Sequence, residues 1–509
     1  MKVPAERIAV IVGIGEVVDR SRDPAMIAEP TALIAQALNK ADGDAGGGWL
    51  KKLDSIDLVA LTSWRYKDPV GDICARLAIA PAHATNSRRG GETPVRLLHE
   101  AALRLIRGEA KACAIVGGEA TSARSRARSS GFKLPWTPLA AADETAHFAG
   151  LSTVRSPLAE RYNMLDPASI YPLYETASQA AWGQSPAQAH DESAHLWALY
   201  AKAASANPFA WIDRAPDAAT IASIRPDNRL INWPYPKLMV ANPSVNQASA
   251  FIVTTLAEAR AAGIAEADMV YVLGGAAANE PADFLHRDRY DRSTAQEAVL
   301  GDVVRQAGGV DALSLMELYS CFPVVPKMAL RFLGLDPDVM MPSVTGGLTF
   351  FGGPLHNYMS HAICAMVRAL RLRTEACGLL YGQGGYVTKH HALLLGTRAP
   401  QEVLPDNWSV QDAADALRGP APPLRDDYDG PATLEAFTVR YARDGAPLEG
   451  IVVLRTPAGE RTMARVPAHD EMTLARLQSW DRSPVGLIGT VRHLADGDAS
   501  WQPLDAATF

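Results

Sequence analysis

A glycine-rich loop that opens a helix is the first segment of this sequence where chemistry can be expected. Residues 88–92 form the loop and Thr93 is the predicted N-cap. Pro94 suits the first helical position, because its missing N–H would have no helical partner there. Free N–H groups at a helix N-terminus lower the pKa of a cysteine and stabilise an oxyanion. The loop contains Gly90 and Gly91 but no cysteine, so it offers anion stabilisation without a thiol nucleophile.

The elements that follow this loop predict a layered arrangement. The helix shows apolar residues at helical spacing and ends at Gly108. Residues 112–116 are apolar on both faces, as expected for a buried parallel strand, and Gly117-Gly118-Glu119 follow them. The predicted order is therefore loop, helix, central strand and glycine turn.

Length and composition exclude several function classes. A chain of 509 residues should form two or three lobes, because single cores stop growing near about 250–300 residues. A net charge of -7 and a pI near 6.0 argue against nucleic acid or a membrane as a partner. The N-terminal apolar run is short and interrupted, so we interpret it as a first strand and expect a cytoplasmic protein. The 5 cysteines form no CxxC pair, which predicts neither a metal site nor a disulfide framework.

Strand-like and helix-like segments alternate on both sides of a different central region, which predicts an α/β fold with two similar halves. The first half covers residues 1–120 plus 243–270, and the second covers residues 271–398. Residues 121–242 between them are loop-rich, with two predicted helices around Gly183, and we interpret them as an inserted loop domain.

The C-terminal region has a different sequence pattern. After a proline-rich linker, residues 425–509 contain short β-type runs separated by the turns Asp444-Gly445 and Ala458-Gly459. This pattern predicts a separate β-rich domain, either a small barrel of the OB-like kind or a sandwich.

Several signatures in order over residues 8–395 resemble the thiolase superfamily, which includes acetyl-CoA acetyltransferases and SCP2-thiolase-like proteins. Segment 86–119 resembles the nucleophile helix and the strand after it, and Tyr319-Ser320-Cys321-Phe322 resembles the NEAF-type segment. Gly352-Gly353-Pro354 resembles the GHP motif, and Tyr381-Gly382-Gln383 resembles the CxG motif. The C-terminal region resembles the extra β-domain of bacterial thiolase-like proteins. The resemblance implies duplicated thiolase-type βαβαβ halves, and acyl-CoA or CoA as the ligand. A CoA thioester would then be a substrate, with no cofactor, and the resemblance leaves a homodimer open.

At each position that the superfamily uses for catalysis, this sequence differs. The nucleophilic cysteine corresponds to Gly91 or its neighbour Gly90, and the NEAF asparagine to Tyr319. The GHP histidine corresponds to Gly353 and the CxG cysteine to Tyr381. Thiolysis through an acyl-cysteine needs a thiolate and its base together, so we do not expect it here.

We predict Tyr319, Tyr381, His356 and His390 as catalytic residues. Thiolase-related retro-aldolases that act on CoA esters are similar in placing tyrosines in such a pocket, and a phenol can pass protons when its pKa is lowered. The two histidines lie on loops that the resemblance places at the pocket edge, and imidazole titrates in the useful range. The alternative is that these side chains only pack and hydrogen-bond.

Other side chains are weaker candidates for chemistry or for ligand binding. Cys321, as a replacement nucleophile, and His361 and His391 are the weaker catalytic candidates. The predicted substrate-binding residues are turn glycines and two loop arginines: Gly90, Gly91, Arg88, Arg89, Gly353 and Gly384. With Arg124, Arg126 and Arg128, the loop arginines could bind the phosphates of CoA, and the alternative is a solvated surface.

Two functions follow from the resemblance. The first is an enzyme acting on acyl-CoA, nominally an acetyl-CoA C-acyltransferase, for which a cysteine-independent C–C reaction such as retro-aldol cleavage is the better physical fit. The second is a non-catalytic protein that binds acyl-CoA or acts as a scaffold. Loss of the superfamily's catalytic groups favours the second, and the retained glycine turns with polar Tyr and His side chains keep the first open.

The resemblance also suggests a role for the C-terminal domain. Thiolase-related aldolases work with a separate OB-fold partner that covers the active-site side, and here a β-rich domain is fused to the chain. No cysteine follows Cys377, so we expect a metal-free domain. We predict that it docks on the core by apolar contacts through Phe437, Tyr441 and Trp480, and a loosely tethered module is the alternative.

Overall fold

The computed structural model describes residues 3–23, 25–141, 156–494 and 497–504. Residues 142–155 of the predicted insertion and residues 505–509 of the predicted C-terminal domain lie outside the described residues. Within the described ranges, every helix is too short or too polar to cross a lipid bilayer.

The first half of the chain alternates strands and helices, as its sequence pattern predicts. Its elements are β1 (Ala9–Val18), α1 (Pro30–Asp44), β2 (Ser55–Leu58), α2 (Pro69–Leu77), β3 (His83–Asn86), α3 (Thr93–Ile106), β4 (Ala112–Ala120) and α4 (Thr121–Ser130). The following region contains α5 (Pro157–Arg161), α6 (Pro167–Ala181), α7 (Pro186–Ser205), α8 (Ala218–Ala222), β5 (Leu230–Asn232) and β6 (Tyr235–Pro236). The turn between α6 and α7 contains Gly183, which has a left-handed φ of 71°.

The second half repeats the alternation. Its elements are β8 (Val270–Asn279), α10 (Thr294–Ala307), β9 (Leu315–Leu318), α11 (Val324–Leu333), α12 (Tyr358–Arg371), β10 (Cys377–Gly384) and β11 (Lys389–Gly396), whereas the preceding β7 (Asn246–Thr255) and α9 (Leu256–Ala261) complete the first half. The C-terminal region contains α13 (Gln411–Leu417), β12 (Gly430–Tyr441), β13 (Pro447–Arg455), β14 (Arg461–Pro467), α14 (Glu471–Leu477), β15 (Ile488–His493) and β16 (Ala499–Pro503).

The halves share one nine-stranded mixed sheet in the order β3-β2-β4-β7-β1-β8-β11-β10-β9. They meet where β1 pairs with β8 over only Val10–Tyr271 and Ile11–Val270. In each half the first strand lies at this seam, the last strand lies beside it, and parallel strands follow outward. The repeated strand order confirms the predicted α/β fold with duplicated halves.

Helix α3 lies inside the molecule, where it contacts α12 and strands of both halves. Its apolar residues are almost completely buried, and so are those of α12. The predicted N-cap was wrong by one residue, because Glu92 already has helical dihedral angles and is itself the N-cap. The Thr93 hydroxyl donates instead to the Arg88 carbonyl oxygen at 3.1 Å. The N-terminus of α3, which follows the glycine loop, therefore lies in the buried centre of the protein.

The C-terminal region forms a seven-stranded sheet in the order β13-β14-β16-β15-β12-β5-β6. An additional pairing of β12 with β13 closes its C-terminal strands into a barrel. Strands β5 and β6 come from the predicted insertion, so the insertion and the C-terminal domain share one sheet. We refer to strands β12 to β16 as the barrel.

The barrel is docked on the core, and its contacts are more polar than predicted. Phe437 is buried in the barrel's own core, and Tyr441 Oη donates to Gln478 inside the domain at 2.6 Å. Of the predicted apolar anchors, Trp480 packs against another element, with its ring 4.6 Å from that of His190 on α7. The fully buried Arg461 donates to the carbonyl oxygens of Leu285 at 2.5 Å and Arg287 at 2.6 Å. The predicted apolar contact is present, but it is made by Ala436, Ile451, Val453 and Met463, which pack in the apolar cluster of the core, and hydrogen bonds supplement it.

Candidate functional site

A cavity of about 560 Å³ opens beside the N-terminus of α3. Its wall is assembled from the loop before α3, the first turns of α6, the segment after β9, the loop before α12 and the turn after β10. Both halves and the insertion therefore contribute to it. Most lining side chains are apolar or aromatic, as is usual for a small-molecule site.

Five of the predicted substrate-binding residues line this cavity: Arg89, Gly90, Gly91, Gly353 and Gly384. Arg88 points to solvent and does not belong to the lining. The sequence could not separate these adjacent arginines, because the direction of a side chain in a loop has no regular period.

The space in front of Gly91 is occupied. A Cβ at this position would lie less than 3.0 Å from both the hydroxyl of Tyr319 and the carbonyl oxygen of Gln383. A cysteine here would therefore require Tyr319 or the β10 strand to move. The cavity at this helix N-terminus is built around a phenol, and glycine is the residue that fits beside it.

Tyr319 and His356 both line the cavity. Within the described part of the chain, neither the Tyr319 hydroxyl nor the His356 ring has a hydrogen-bond partner. Burial, together with Cys321 and Glu92, raises the pKa of Tyr319 well above its ordinary value. Burial, with Arg89 and Lys389, lowers the pKa of His356 to about 4. At neutral pH the site thus presents a phenol that can donate a hydrogen bond and an uncharged imidazole that can accept a proton.

Tyr381 and His390 are brought together, but they do not line the cavity. His390 Nε2 lies 3.1 Å from the Val387 carbonyl oxygen, so Nε2 carries the proton and Nδ1 accepts from Tyr381 Oη at 2.7 Å. Gln296 Nε2 donates to the same hydroxyl at 3.0 Å. Burial raises the pKa of Tyr381 and lowers the pKa of His390 to about 4. Tyr381 shares a face of β10 with the cavity-lining Gln383 but lies two residues deeper along the strand.

Cys321 lines the cavity, and its surroundings disfavour a thiolate. Burial raises the pKa of this thiol to about 12. Gln383 Nε2 donates to Cys321 Sγ at 3.3 Å and to Tyr171 Oη at 2.6 Å. Since the thiolate is the reactive form, Cys321 is a poor nucleophile at neutral pH.

The weaker histidine candidates lie in buried networks elsewhere. His361 Nδ1 lies 2.6 Å from a carboxylate oxygen of Glu16, which also pairs with Arg368. His391 Nε2 lies 3.0 Å from His99 Nδ1, and the His99 ring packs on Trp408. Neither histidine belongs to the cavity lining.

Glu92 is the residue of this site that the sequence did not single out. Its carboxyl lies behind the cavity wall, where a Cβ on Gly90 or Gly384 would collide with it. Within the described residues, the buried Oε2 atom has no hydrogen-bond partner. Burial raises the pKa of Glu92, and Lys389 and Arg96 oppose that shift. The available signal was an acidic residue directly after the Gly90-Gly91 turn. The second glycine turn, at Gly384, lies almost 300 residues away in the sequence, and only the fold brings it near Glu92.

Two further buried carboxyl groups bind loop residues outside the cavity lining. Glu119, at the end of β4, accepts from the Thr62 and Ser63 amides at 2.8 and 2.7 Å. Glu317, on β9, accepts from Tyr358 Oη at 2.7 Å and from Ser343 Oγ at 2.8 Å. Burial raises the pKa of each carboxyl to about 7.

Comparisons with known proteins agree with this architecture. Residues 410–497 match the family described as thiolase-like protein type 1 additional C-terminal domain. No curated protein sequence matches the chain. Among solved structures, the chain is similar to a monomeric SCP2-thiolase like protein type 1 from Mycobacterium smegmatis. The two are 26% identical with a TM-score of 0.82, over 98% of this chain and 99% of that one.

Two more distant structures share the core fold. The Ltp2-ChsH2(DUF35) aldolase is 16% identical, with a TM-score of 0.57 over 77% of this chain and 98% of that one. An acetyl-CoA acetyltransferase from Syntrophomonas wolfei is 14% identical, with a TM-score of 0.54 over 77% of this chain and 99% of that one. At these identities the likeness concerns the fold alone.

Proposed function

Since the chain belongs to the thiolase superfamily and carries the additional C-terminal domain of type 1 thiolase-like proteins, we propose that it binds an acyl-CoA thioester beside α3 and cleaves a C–C bond without a cysteine. The observation that carries this proposal is the Tyr319 hydroxyl in front of Gly91. It fills the space that a nucleophilic side chain at Gly91 would need, and it remains free to contact a ligand.

The proposed reaction is a retro-aldol cleavage of a 3-hydroxyacyl thioester. His356 accepts the proton of the substrate hydroxyl, and the Cα–Cβ bond then breaks. Its electron pair moves into the thioester to form an enolate, to which Tyr319 donates a proton at Cα. The proton on His356 then restores the Tyr319 phenol, so the products are a shorter acyl-CoA and a carbonyl compound.

Charge at the cavity edge supports a CoA ester as the ligand. Arg89 lines the cavity, and Lys389 lies close enough to influence the pKa of both Glu92 and His356. Arg88 and Arg124 are exposed, and guanidinium groups bind phosphate well. We place the acyl group in the apolar cavity and the phosphates toward these cations. The likeness to a protein described as monomeric supports a monomer over the homodimer.

The second candidate is binding without turnover. It is favoured by one observation: four lining side chains that could act in proton transfer or as nucleophiles, Tyr171, Tyr319, Cys321 and His356, are uncharged at neutral pH. The pKa values of Tyr171, Tyr319 and Cys321 are raised, and that of His356 is lowered. Such a lining holds a thioester well but supplies no strong base.

Titration calorimetry with CoA, acetyl-CoA and a series of 3-hydroxyacyl-CoA esters tests both candidates, with products followed by mass spectrometry. Cleavage by the wild type that is lost in Tyr319→Phe, while binding persists, is the result expected for the enzyme. His195→Ala is the control, because His195 is an exposed histidine paired with Asp338. Binding with no product for any ester would support the second candidate. Absence of binding would contradict both.

A further inference from the structure

We propose that the barrel holds one wall of the cavity in place, with Thr176 and Asn232 as the positioning residues. That wall is the start of α6, where Asp166, Pro167, Ala168 and Tyr171 line the cavity. No barrel residue belongs to the described lining. Any influence of the barrel on the site must therefore be indirect, and α6 is a lining element that the barrel contacts directly.

Helix α6 is weakened where it faces the cavity. Pro172 lies inside the helix and has no N–H, so the carbonyl oxygen of Ala168 loses its usual donor four residues later. This partly buried carbonyl group needs another partner. The turn between Ala168 and Pro172, which carries Tyr171, therefore depends on a donor from outside the helix.

Asn232 supplies that donor. Its Nδ2 atom lies 2.7 Å from the Ala168 carbonyl oxygen, and the side chain is buried. Asn232 is the last residue of β5, which joins the barrel sheet opposite Arg440 of β12. The next amide, of Trp233, donates to the Val439 carbonyl oxygen at 2.8 Å. The weakened turn of α6 is thus tied to β12 through one short strand.

Thr176 makes the second connection. On one edge of β12, the first residues of this strand pair with β15 and Arg440 near its end pairs with β5. Phe437 lies between these two pairings. The Phe437 amide donates to Thr176 Oγ1 at 3.1 Å, and this hydroxyl lies 3.0 Å from the Phe437 carbonyl oxygen. Thr176 and Phe437 are both fully buried. The Thr176 hydroxyl thereby contacts the backbone groups of Phe437 that a neighbouring strand would otherwise bind.

Tyr171 lies between these two attachment points. Its ring stacks on Phe322 with centroids 4.6 Å apart and planes at 14°. Its hydroxyl donates to the Gly385 carbonyl oxygen at 3.1 Å and accepts from Gln383. A shift of α6 would separate Tyr171 from these partners and change the shape of the cavity. The barrel contacts and the cavity are coupled through this turn.

The test compares Thr176→Val and Asn232→Ala with two controls. Thr176→Val keeps the shape of the side chain and removes the hydroxyl, whereas Thr176→Ser keeps the hydroxyl. Thr490→Val makes the same change on β15, where the Thr490 side chain makes no hydrogen bond within the described residues. The first readout is hydrogen exchange of the amides at 168–171 in the ligand-free protein, and the second is binding of a CoA ester.

We expect Thr176→Val and Asn232→Ala each to speed exchange at 168–171 by about tenfold or more, as the loss of one buried hydrogen bond implies. Thr176→Ser and Thr490→Val should behave like the wild type. Unchanged exchange in both test variants, or equal changes in the controls, would overturn the inference. If Thr176→Val does not fold, Asn232→Ala decides by the same criterion.

The binding readout rests on the proposed function, and the exchange readout does not. Weaker binding in both test variants, with the controls unchanged, is the expected result. If the wild type binds no CoA ester while exchange responds as expected, the proposed function fails and the role of the barrel stands. If the wild type binds and the variants bind equally well, ligand binding does not depend on the barrel contacts, and the proposed coupling between the barrel and the cavity is overturned.

Discussion

This protein contains two tyrosine–histidine sets that differ in what surrounds them. Tyr319 and His356 face the cavity and have no hydrogen-bond partner within the described residues. Tyr381 and His390 are bonded to each other at 2.7 Å and lie behind the wall. The residue types are the same, but only the first set has polar atoms left to bind a ligand. Unsatisfied polar atoms at a cavity, and not residue type, therefore mark the candidate catalytic groups.

The largest effect should come from the cavity set. Tyr319→Phe and His356→Ala should each lower the rate of 3-hydroxyacyl-CoA cleavage by about 10²- to 10⁴-fold, the usual contribution of a group that transfers a proton. Single-turnover assays with a saturating ester measure this loss. Retention of full activity by either variant would remove that residue from the reaction.

The buried set should respond to acid. The pKa of His390 is lowered to about 4 by burial, below the unfolded value of about 6.5. Between these values the unfolded state binds more protons, so His390 makes the folded state less stable as the pH falls. Relative to His390→Gln, the wild type should lose up to about 1.4 kcal/mol of unfolding free energy per pH unit in this window.

Urea unfolding of both proteins at several pH values between 7 and 4.5 measures that difference. The comparison with the variant is needed because Glu119 and Glu317, whose pKa values are raised to about 7, act in the opposite direction in the wild type. Parallel curves for the two proteins would show that His390 is not the group that titrates.

A cysteine at Gly91 should not restore thiolase chemistry. Gly91→Cys forces a side chain against the Tyr319 hydroxyl, so we expect a loss of about 1–3 kcal/mol in unfolding free energy from overpacking.

In the wild type we also expect no thiolase-like cleavage of acetoacetyl-CoA by free CoA, and little effect of iodoacetamide on any activity. Intact-mass detection of an acyl-enzyme on any cysteine would contradict this.

The smallest functional effect should come from Tyr381→Phe. It removes the hydroxyl between His390 and Gln296, and each lost hydrogen bond should cost about 1 kcal/mol of stability. The affinity for a CoA ester should stay unchanged, because the hydroxyl does not reach the cavity. Weaker binding of the CoA ester at equal stability would place Tyr381 in the site and would contradict the difference between the two tyrosine–histidine sets.

Local patterns predicted much of the fold. Helix α2 begins at Pro69 and ends at Leu77, as its proline and apolar spacing indicate, whereas Pro94 occupies the second helical position of α3, one residue later than predicted. Strand β1 runs on to Val18, beyond the interrupted apolar run that predicts it, because residues 15–18 pair with β7 inside the sheet. Boundaries of this kind depend on tertiary contacts that a single segment does not carry.

The contacts that define the site lie far apart in sequence, and here the sequence was insufficient. Tyr319 and Tyr381 were equivalent candidates, and only the packing of β10 separates them. The Glu92 Oε2 atom, which has no hydrogen-bond partner within the described residues, fits only because residue 384 is a glycine, and the role of Asn232 depends on the pairing of β5 with β12. Pro172 was visible in the sequence, but the donor that replaces its N–H was not. Long-range pairings determine these features, and neither spacing nor composition reports them.

A crystal structure of the protein with CoA bound tests the central claim most directly. We predict that the pantetheine sulfur lies in the cavity beside α3, within contact distance of the Tyr319 hydroxyl and His356, with no covalent bond to Cys321. Tyr381 and His390 should remain bonded to each other and out of contact with the ligand. A CoA molecule bound away from this cavity, or one whose sulfur is linked to a cysteine, would contradict the account.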